Sequence, residues 1–118
     1  MAIPVFHYPA CDTCRRALKW LDARGVEVER IHIVDAPPSR EAIKDLWRRS
    51  ELPLKRFFNT AGQSYRNGDF KSRLPEMSES EQLDALAADG KLIKRPLVDA
   101  GDVVLVGFKE ADYEARLP

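Results

Sequence analysis

Cys11 and Cys14 are the only two thiols of this 118-residue chain, and they stand three positions apart. A C-x-x-C pair closes too short a loop to restrain an unfolded chain much, so a structural disulfide is not expected. Structural zinc takes four ligands. Cys11, Cys14, His7 and His32 are the only Cys and His residues available, and His32 falls in a different element, so no metal is expected. Thiol chemistry remains, and it requires a thiolate. Cys11 lies just before a helical pattern, where the unpaired backbone N–H groups of Asp12, Thr13 and Cys14 point back toward its sulfur. They and the helix dipole favour negative charge. The same N–H groups can cradle a tetrahedral oxyanion. His7 lies four residues earlier, and its protonated form would lower the thiol pKa further. Arg15 and Arg16 add positive potential. Asp12 opposes it, so its side chain is expected to face solvent. Cys11, at the exposed end, reads as a nucleophile, and Cys14, one turn into the helix, as the thiol that resolves it to a disulfide. The plainer alternative makes both thiols small buried hydrophobes and His7 an ordinary strand residue.

The elements that must position these groups follow from periodicity. Ala2 to Tyr8 is rich in β-formers and reads as a first strand, with Pro4 at its start or at an unpaired position. Cys14, Ala17, Leu18 and Leu21 then fall at helical spacing, and Gly25 closes that helix. Val26 to Val34 alternates as a second strand, with a phase change near Glu29–Arg30. Pro37–Pro38 ends it. Ser39 is the expected N-cap of a helix through Arg49 that buries Ile43, Leu46 and Trp47. Leu54 to Phe58 reads as one helical turn, and Asn59 to Asn67 as a loop. Ser78 with Glu81 forms a capping box before Leu83, Leu86 and Ala87, and Gly90 is expected to end that helix. Leu97–Val98 and Val103–Val106, joined through Ala100-Gly101-Asp102, read as a hairpin. Lys109 to Leu117 reads as a closing helix. The order is βαβ, a helical block over about 39–90, then ββα. It predicts an α/β fold of thioredoxin type in one domain spanning 1–118: a four-stranded mixed sheet flanked by helices, with a helical insert. C-x-x-C at the first strand-to-helix junction is where that fold keeps its redox site.

Composition narrows the class. The hydrophobic share is 44% and the charged share 32%, which is that of a folded globular chain. No apolar run approaches the ~18 residues of a membrane helix, and the first residues show no export pattern, so a cytoplasmic location without membrane attachment is expected. Lys plus Arg and Asp plus Glu are both 19, a balance that argues against a nucleic-acid binder. The charge is uneven, with residues 1–59 at net +3 and residues 60–118 at net −3. A cationic site in the first half would suit a small anion. A monomer is expected.

The segment Phe6-His7-Tyr8-Pro9-Ala10-Cys11-Asp12-Thr13-Cys14-Arg15 resembles the active-site segment of the ArsC-type arsenate reductases, whose pattern is aromatic–His–x–Pro–x–Cys–x–Thr–Ser–Arg. Leu92-Ile93-Lys94-Arg95-Pro96-Leu97-Val98 resembles their second signature. The resemblance covers almost the whole chain. It implies the thioredoxin-like fold, attack of Cys11 on arsenate, a His7 that lowers the Cys11 pKa, an Arg95 that binds the oxyanion, and a cis peptide bond before Pro96. In the glutaredoxin-coupled members three arginines surround the anion. Here the first falls on Lys55 with Arg56 beside it, and the third near Gly107, with Lys109 the nearest cation. Lysine keeps the charge but not the planar fork, so Arg15 and the N–H groups of Asp12 and Thr13 are expected to share the oxyanion with Lys55, Arg56 and Arg95. Cys14 replaces the family serine. A Cys11–Cys14 disulfide would release the product and be reduced by thioredoxin, with glutathione and glutaredoxin as the other donor. No bound cofactor is expected.

Two further functions share these residues. One is a redox-switched transcription regulator of the Spx type, which resembles the same superfamily and binds RNA polymerase. The other is a general thiol–disulfide oxidoreductase that needs no oxyanion site.

Overall fold

The computed structural model describes residues 2–117. Four strands, β1 (Ile3–His7), β2 (Val28–His32), β3 (Leu97–Asp99) and β4 (Val104–Val106), form one mixed sheet in the order β2-β1-β3-β4. β1 runs parallel to β2, with Val5 opposite Arg30 and His7 opposite His32. β1 pairs antiparallel with β3 only through Val5–Val98 and Phe6–Leu97. Pro4 therefore sits outside that ladder, which is how a central strand accommodates a residue with no N–H donor. β2 is shorter than the alternating pattern from Val26 to Val34. Glu29 and Arg30 are both exposed there, so the phase change falls inside the edge strand.

Alternation along the strands divides the core in two. Val5, Val98 and Leu105 face helices α1 (Asp12–Ala23) and α6 (Glu110–Arg116), where they pack with Ala17, Leu18, Leu21 and Tyr113. Leu97 and Val104 face the insert, where they pack with Ile43 and Leu46 of α2 (Arg40–Ser50), Leu83 and Leu86 of α5 (Glu79–Ala88), and Phe57 and Phe58. The sheet is thus the middle layer of three. Arg49 ties α2 to the hairpin by gripping both carboxylate oxygens of Asp99, at 2.6 and 3.0 Å. Its hydrogen bonds hold the Asp99 carboxyl below its usual pKa despite partial burial.

The caps expected from sequence are present. Ser39 Oγ accepts from the Ala42 N–H, and Ser78 and Glu81 form a reciprocal capping box. Other expectations are corrected. The stretch read as a loop contains α3 (Gln63–Asn67), and α4 (Phe70–Arg73) follows it. α3 is five residues long, has no side-chain cap and buries none of its residues, so no periodicity announces it. Local contacts brace it, with Tyr65 stacked on Phe70 and Arg66 bonded to the Ala61 carbonyl at 2.9 Å, and it packs on the Gly90–Leu92 turn and the insert core. Leu54–Phe57 is a 3₁₀ turn. Gly90 does not end α5: Asp89 is the C-cap, and Gly90 opens a 3₁₀ turn, Gly90–Leu92. It is glycine because a Cβ there would lie 2.1 Å from the Ile33 carbonyl oxygen. Backbone cannot yield as a side-chain tip can, so Gly90→Ala is expected to cost about 1–3 kcal/mol by overpacking, read as a lower midpoint in urea unfolding.

Candidate active site at the start of helix α1

Cys11 is the N-cap of α1. Its backbone is extended, and its sulfur accepts from the Cys14 N–H at 3.3 Å. A helix normally fills this position with an oxygen of Ser, Thr, Asp or Asn. Sulfur is a weak acceptor as a thiol and a good one as a thiolate, so the cap itself favours ionisation. Partial burial raises the Cys11 pKa, but the hydrogen bonds from Cys14 and the charge and hydrogen bond of Arg95 outweigh it, and the net shift is downward. Cys14 is fully buried. Its pKa is pushed up to about 12, first by burial and then by the neighbouring Cys11 sulfur. The two thiols are free and shifted in opposite directions: one is partly exposed with a lowered pKa, the other sealed with a raised one.

Arg95 reaches Cys11 from the far end of the chain. β3 lies beside β1, and the bond between Arg95 and Pro96 is cis, as the resemblance implies. The guanidinium is seated by the Lys91 carbonyl at 3.1 Å and by the face of Tyr8, 5.0 Å from the ring centre. Gly107 backs this segment. Its N–H donates to the Pro96 carbonyl at 2.8 Å, and its own carbonyl accepts from the buried Tyr113 hydroxyl at 2.7 Å. Gly107 has φ of +78°, a conformation natural to glycine. Sequence reasoning did not single out Tyr8 or Tyr113. Tyr8 acts through Arg95, far away in the chain, and Tyr113 acts through Gly107, whose role depends in turn on its contact with Pro96.

The structure places the other predicted residues as follows. His7 lies in β1 beside His32, ring centres 6.2 Å apart, and burial, Arg30 and His32 together lower its pKa. The positive charge that reaches Cys11 is that of Arg95. A His7 shifted downward is neutral at pH 7, so the imidazolium expected from sequence is replaced by a guanidinium. Asp12 faces solvent, its side chain 76% exposed, and pairs with Arg16 at 3.3 Å. Arg15 turns to the Pro9 carbonyl at 3.4 Å and to Asp12. Thr13 lines a cleft of about 360 Å³ together with Arg16, Lys55, Arg56, Lys94 and Lys109. Lys55 and Arg56 therefore stand on one wall, on the 3₁₀ turn, and Lys109 stands where α6 begins. Among the described residues, no three His, Cys, Asp or Glu side chains converge to hold a metal ion. No helix among them is long and apolar enough to cross a membrane.

An acidic thiol capping a helix beside a cis-proline, with a buried partner three residues on, is the site of a thioredoxin-like protein. The family model of the ArsC family matches residues 6–116, and the chain belongs to that family. An ArsC family related protein from Bacteroides fragilis superposes with a TM-score of 0.94 at 45% identity, covering 98% of this chain and 97% of that one. A Streptococcus mutans structure described as a possible arsenate reductase does so at 0.86 and 38%, over 95% and 97%. In sequence, the uncharacterized Bacillus subtilis protein YusI is 52% identical over 97% of both chains. The global transcriptional regulator Spx of Streptococcus mutans is 25% identical over 98% of this chain and 84% of its own.

The asymmetry of the thiols has a direct readout. Alkylation rate follows the thiolate fraction, so a lowered pKa moves its inflection to lower pH. Iodoacetamide is expected to label Cys11 alone in the native protein at pH 7, with an inflection below that of a free cysteine. Arg95→Ala removes a charge that favours the thiolate and should move the inflection upward, as mass spectrometry across a pH series will record.

Proposed function

We propose that this protein reduces arsenate to arsenite with two electrons from Cys11 and Cys14. The observation that supports this reading best is the pairing of a partly exposed Cys11, capped by the Cys14 N–H, flanked by Arg95 and lowered in pKa, with a buried Cys14 whose pKa is raised. In the first step the Cys11 thiolate attacks arsenic, and one arsenate oxygen leaves as water after protonation. The α1 N–H groups, Arg95 and the cations of the adjoining cleft counter the oxyanion charge. Loading arsenic on Cys11 removes the negative sulfur that helps keep Cys14 protonated. Cys14 then gives up its proton and attacks the Cys11 sulfur. The sulfur–arsenic electron pair departs with arsenic, so As(V) becomes As(III), and the pair of thiols becomes a disulfide. Net, two thiols and one arsenate yield one disulfide, one arsenite and one water. An external thiol reductant restores the enzyme. We assign that role to thioredoxin, because the disulfide is internal to the chain and no mixed disulfide with glutathione is required. We place the reaction in the cytoplasm, with a monomeric enzyme and no bound cofactor.

A second reading is favoured by the regulators among the relatives. In it the Cys11–Cys14 disulfide gates binding to RNA polymerase, and Arg95 serves no anion.

The deciding assay follows NADPH oxidation with thioredoxin, thioredoxin reductase and arsenate. Arsenate-dependent oxidation is expected, absent in Cys11→Ser and lost from multiple turnover in Cys14→Ser. Arg95→Ala should raise the arsenate KM about tenfold or more, in line with loss of a charge-assisted contact. Silence with both thioredoxin and glutathione–glutaredoxin, together with redox-dependent retention of RNA polymerase, would favour the regulator.

A further inference from the structure

Arg95 supplies the charge beside Cys11, yet a charge on a long side chain acts only where it is held. Both residues are partly exposed. Such a pair gains little when the arginine is free to swing, because ordering it costs side-chain entropy and water screens the attraction. Something must therefore fix the guanidinium. The other charged and titratable groups near the thiol are engaged elsewhere. On α1, Asp12 pairs with Arg15 and Arg16, and on β1 His7 lies beside His32.

Two contacts hold Arg95. One guanidinium N–H donates to the Lys91 carbonyl at 3.1 Å, in a turn that Asp89 closes by accepting from the Lys91 N–H at 3.0 Å. The other contact is the Tyr8 ring, whose centre lies 5.0 Å from the guanidinium carbon above it. The negative face of an aromatic ring attracts a guanidinium, and more strongly where water is partly excluded. Tyr8 packs against the insert core and is partly buried there. The ring is braced in turn. His32 meets it in a T-shaped contact with centres 5.5 Å apart. The N–H groups of Val34 and Asp35 both donate to His32 Nδ1, at 3.2 and 3.1 Å, which orients that imidazole. The Tyr8 backbone is tied to the nucleophile itself, since its carbonyl accepts from the Cys11 N–H at 3.0 Å. One residue thus sets Arg95 in register with Cys11. Covering a face of the planar guanidinium leaves edge N–H groups for a sulfur or an oxygen.

We propose that Tyr8 is a positioning residue of this site: the negative face of its ring holds the Arg95 guanidinium against Cys11, and that hold sets both the reactivity of the thiol and the grip of Arg95 on an oxyanion. The inference deepens the reading of Cys11 as the attacking thiol and rests on it. Position 8 is the open position between histidine and proline in the active-site pattern that the chain resembles, so the resemblance assigns Tyr8 no role. The working feature is the electron-rich face and not the bulk of the side chain.

Two nearly isosteric rings separate face from bulk. Tyr8→Phe keeps the negative face and serves as the reference. Tyr8→pentafluorophenylalanine, installed by nonsense suppression, keeps the apolar shape and removes the negative face. The readout is the pH inflection of Cys11 alkylation by iodoacetamide, measured without arsenate. Relative to Tyr8→Phe, the fluorinated ring is expected to move the inflection upward by about half a pH unit. In an Arg95→Ala background the two rings should give the same inflection, because the cation that tells them apart is gone. The arsenate KM should rise about two- to fivefold with the fluorinated ring. An inflection that is the same for both rings while Arg95 is present would overturn the proposal. So would a shift that persists in Arg95→Ala, since the ring would then act by packing. A shift already complete in Tyr8→Phe relative to the unmodified protein would overturn it as well, since the hydroxyl and not the face would be the working group. Ring-dependent alkylation without arsenate turnover sinks the arsenate reading alone. Ring-independent alkylation with intact turnover sinks the Tyr8 assignment alone.

Discussion

A helix leaves its first N–H groups without intrahelical partners, and something must accept from them. In this protein that something is the sulfur of Cys11. The need to cap α1 and the need for a thiolate are therefore met by the same contact. A neutral thiol serves the N–H of Cys14 poorly, whereas a thiolate serves it well, so ionising Cys11 completes the helix rather than disturbing it. The rest of the site follows from this contact. The turn from β1 into α1 has to place Cys11 at the N-cap, and the extended backbone of Cys11, with its N–H held by the Tyr8 carbonyl at 3.0 Å, accomplishes this.

The same helix start places Cys14 where it must be protonated. One turn on, the side chain falls on the buried face with Ala17, Leu18 and Leu21. Burial penalises its charged form, and the adjacent sulfur adds to the penalty. Two chemically identical groups thus acquire opposite states from position alone. Order follows from that difference: the accessible sulfur reacts first, and its consumption releases part of the restraint on the second. Tyr113 belongs to the same arrangement. Its hydroxyl holds the Gly107 carbonyl from beneath the sheet, and Gly107 in turn holds Pro96, next to Arg95.

The insert contributes differently. Its helices cover the second face of the sheet with ordinary apolar packing, yet its outer surface carries cations that the fold leaves without partners. The 3₁₀ turn at Leu54–Phe57 is the joint between these roles. Leu54 and Phe57 are buried in the core while Lys55 and Arg56 line the cleft beside Thr13. With three residues per turn, Leu54 and Phe57 fall directly one above the other on the inner side, and Lys55 and Arg56 fall on the outer side.

Local pattern alone determined much of this protein. The strand-to-helix junction at Cys11, the Ser39 cap, the capping box at Ser78 and the hairpin around Gly101 are all written in neighbouring residues. Their physics is short-range: periodicity, caps and turn chemistry. The mixed sheet followed from them, since a βαβ unit and a hairpin leave few ways to pair. Only tertiary structure decided the rest. α3 is held where it packs on the Gly90–Leu92 turn and the insert core, and Gly90 is glycine because Ile33 passes against it. The charge beside Cys11 comes from Arg95 and not His7, because the β1–β3 pairing carries Arg95 across while β1 turns His7 toward His32. Proximity of residues far apart in the chain depends on how strands pair, and no local spacing records it. The same holds for the cleft beside Thr13, whose lining comes from several separate elements.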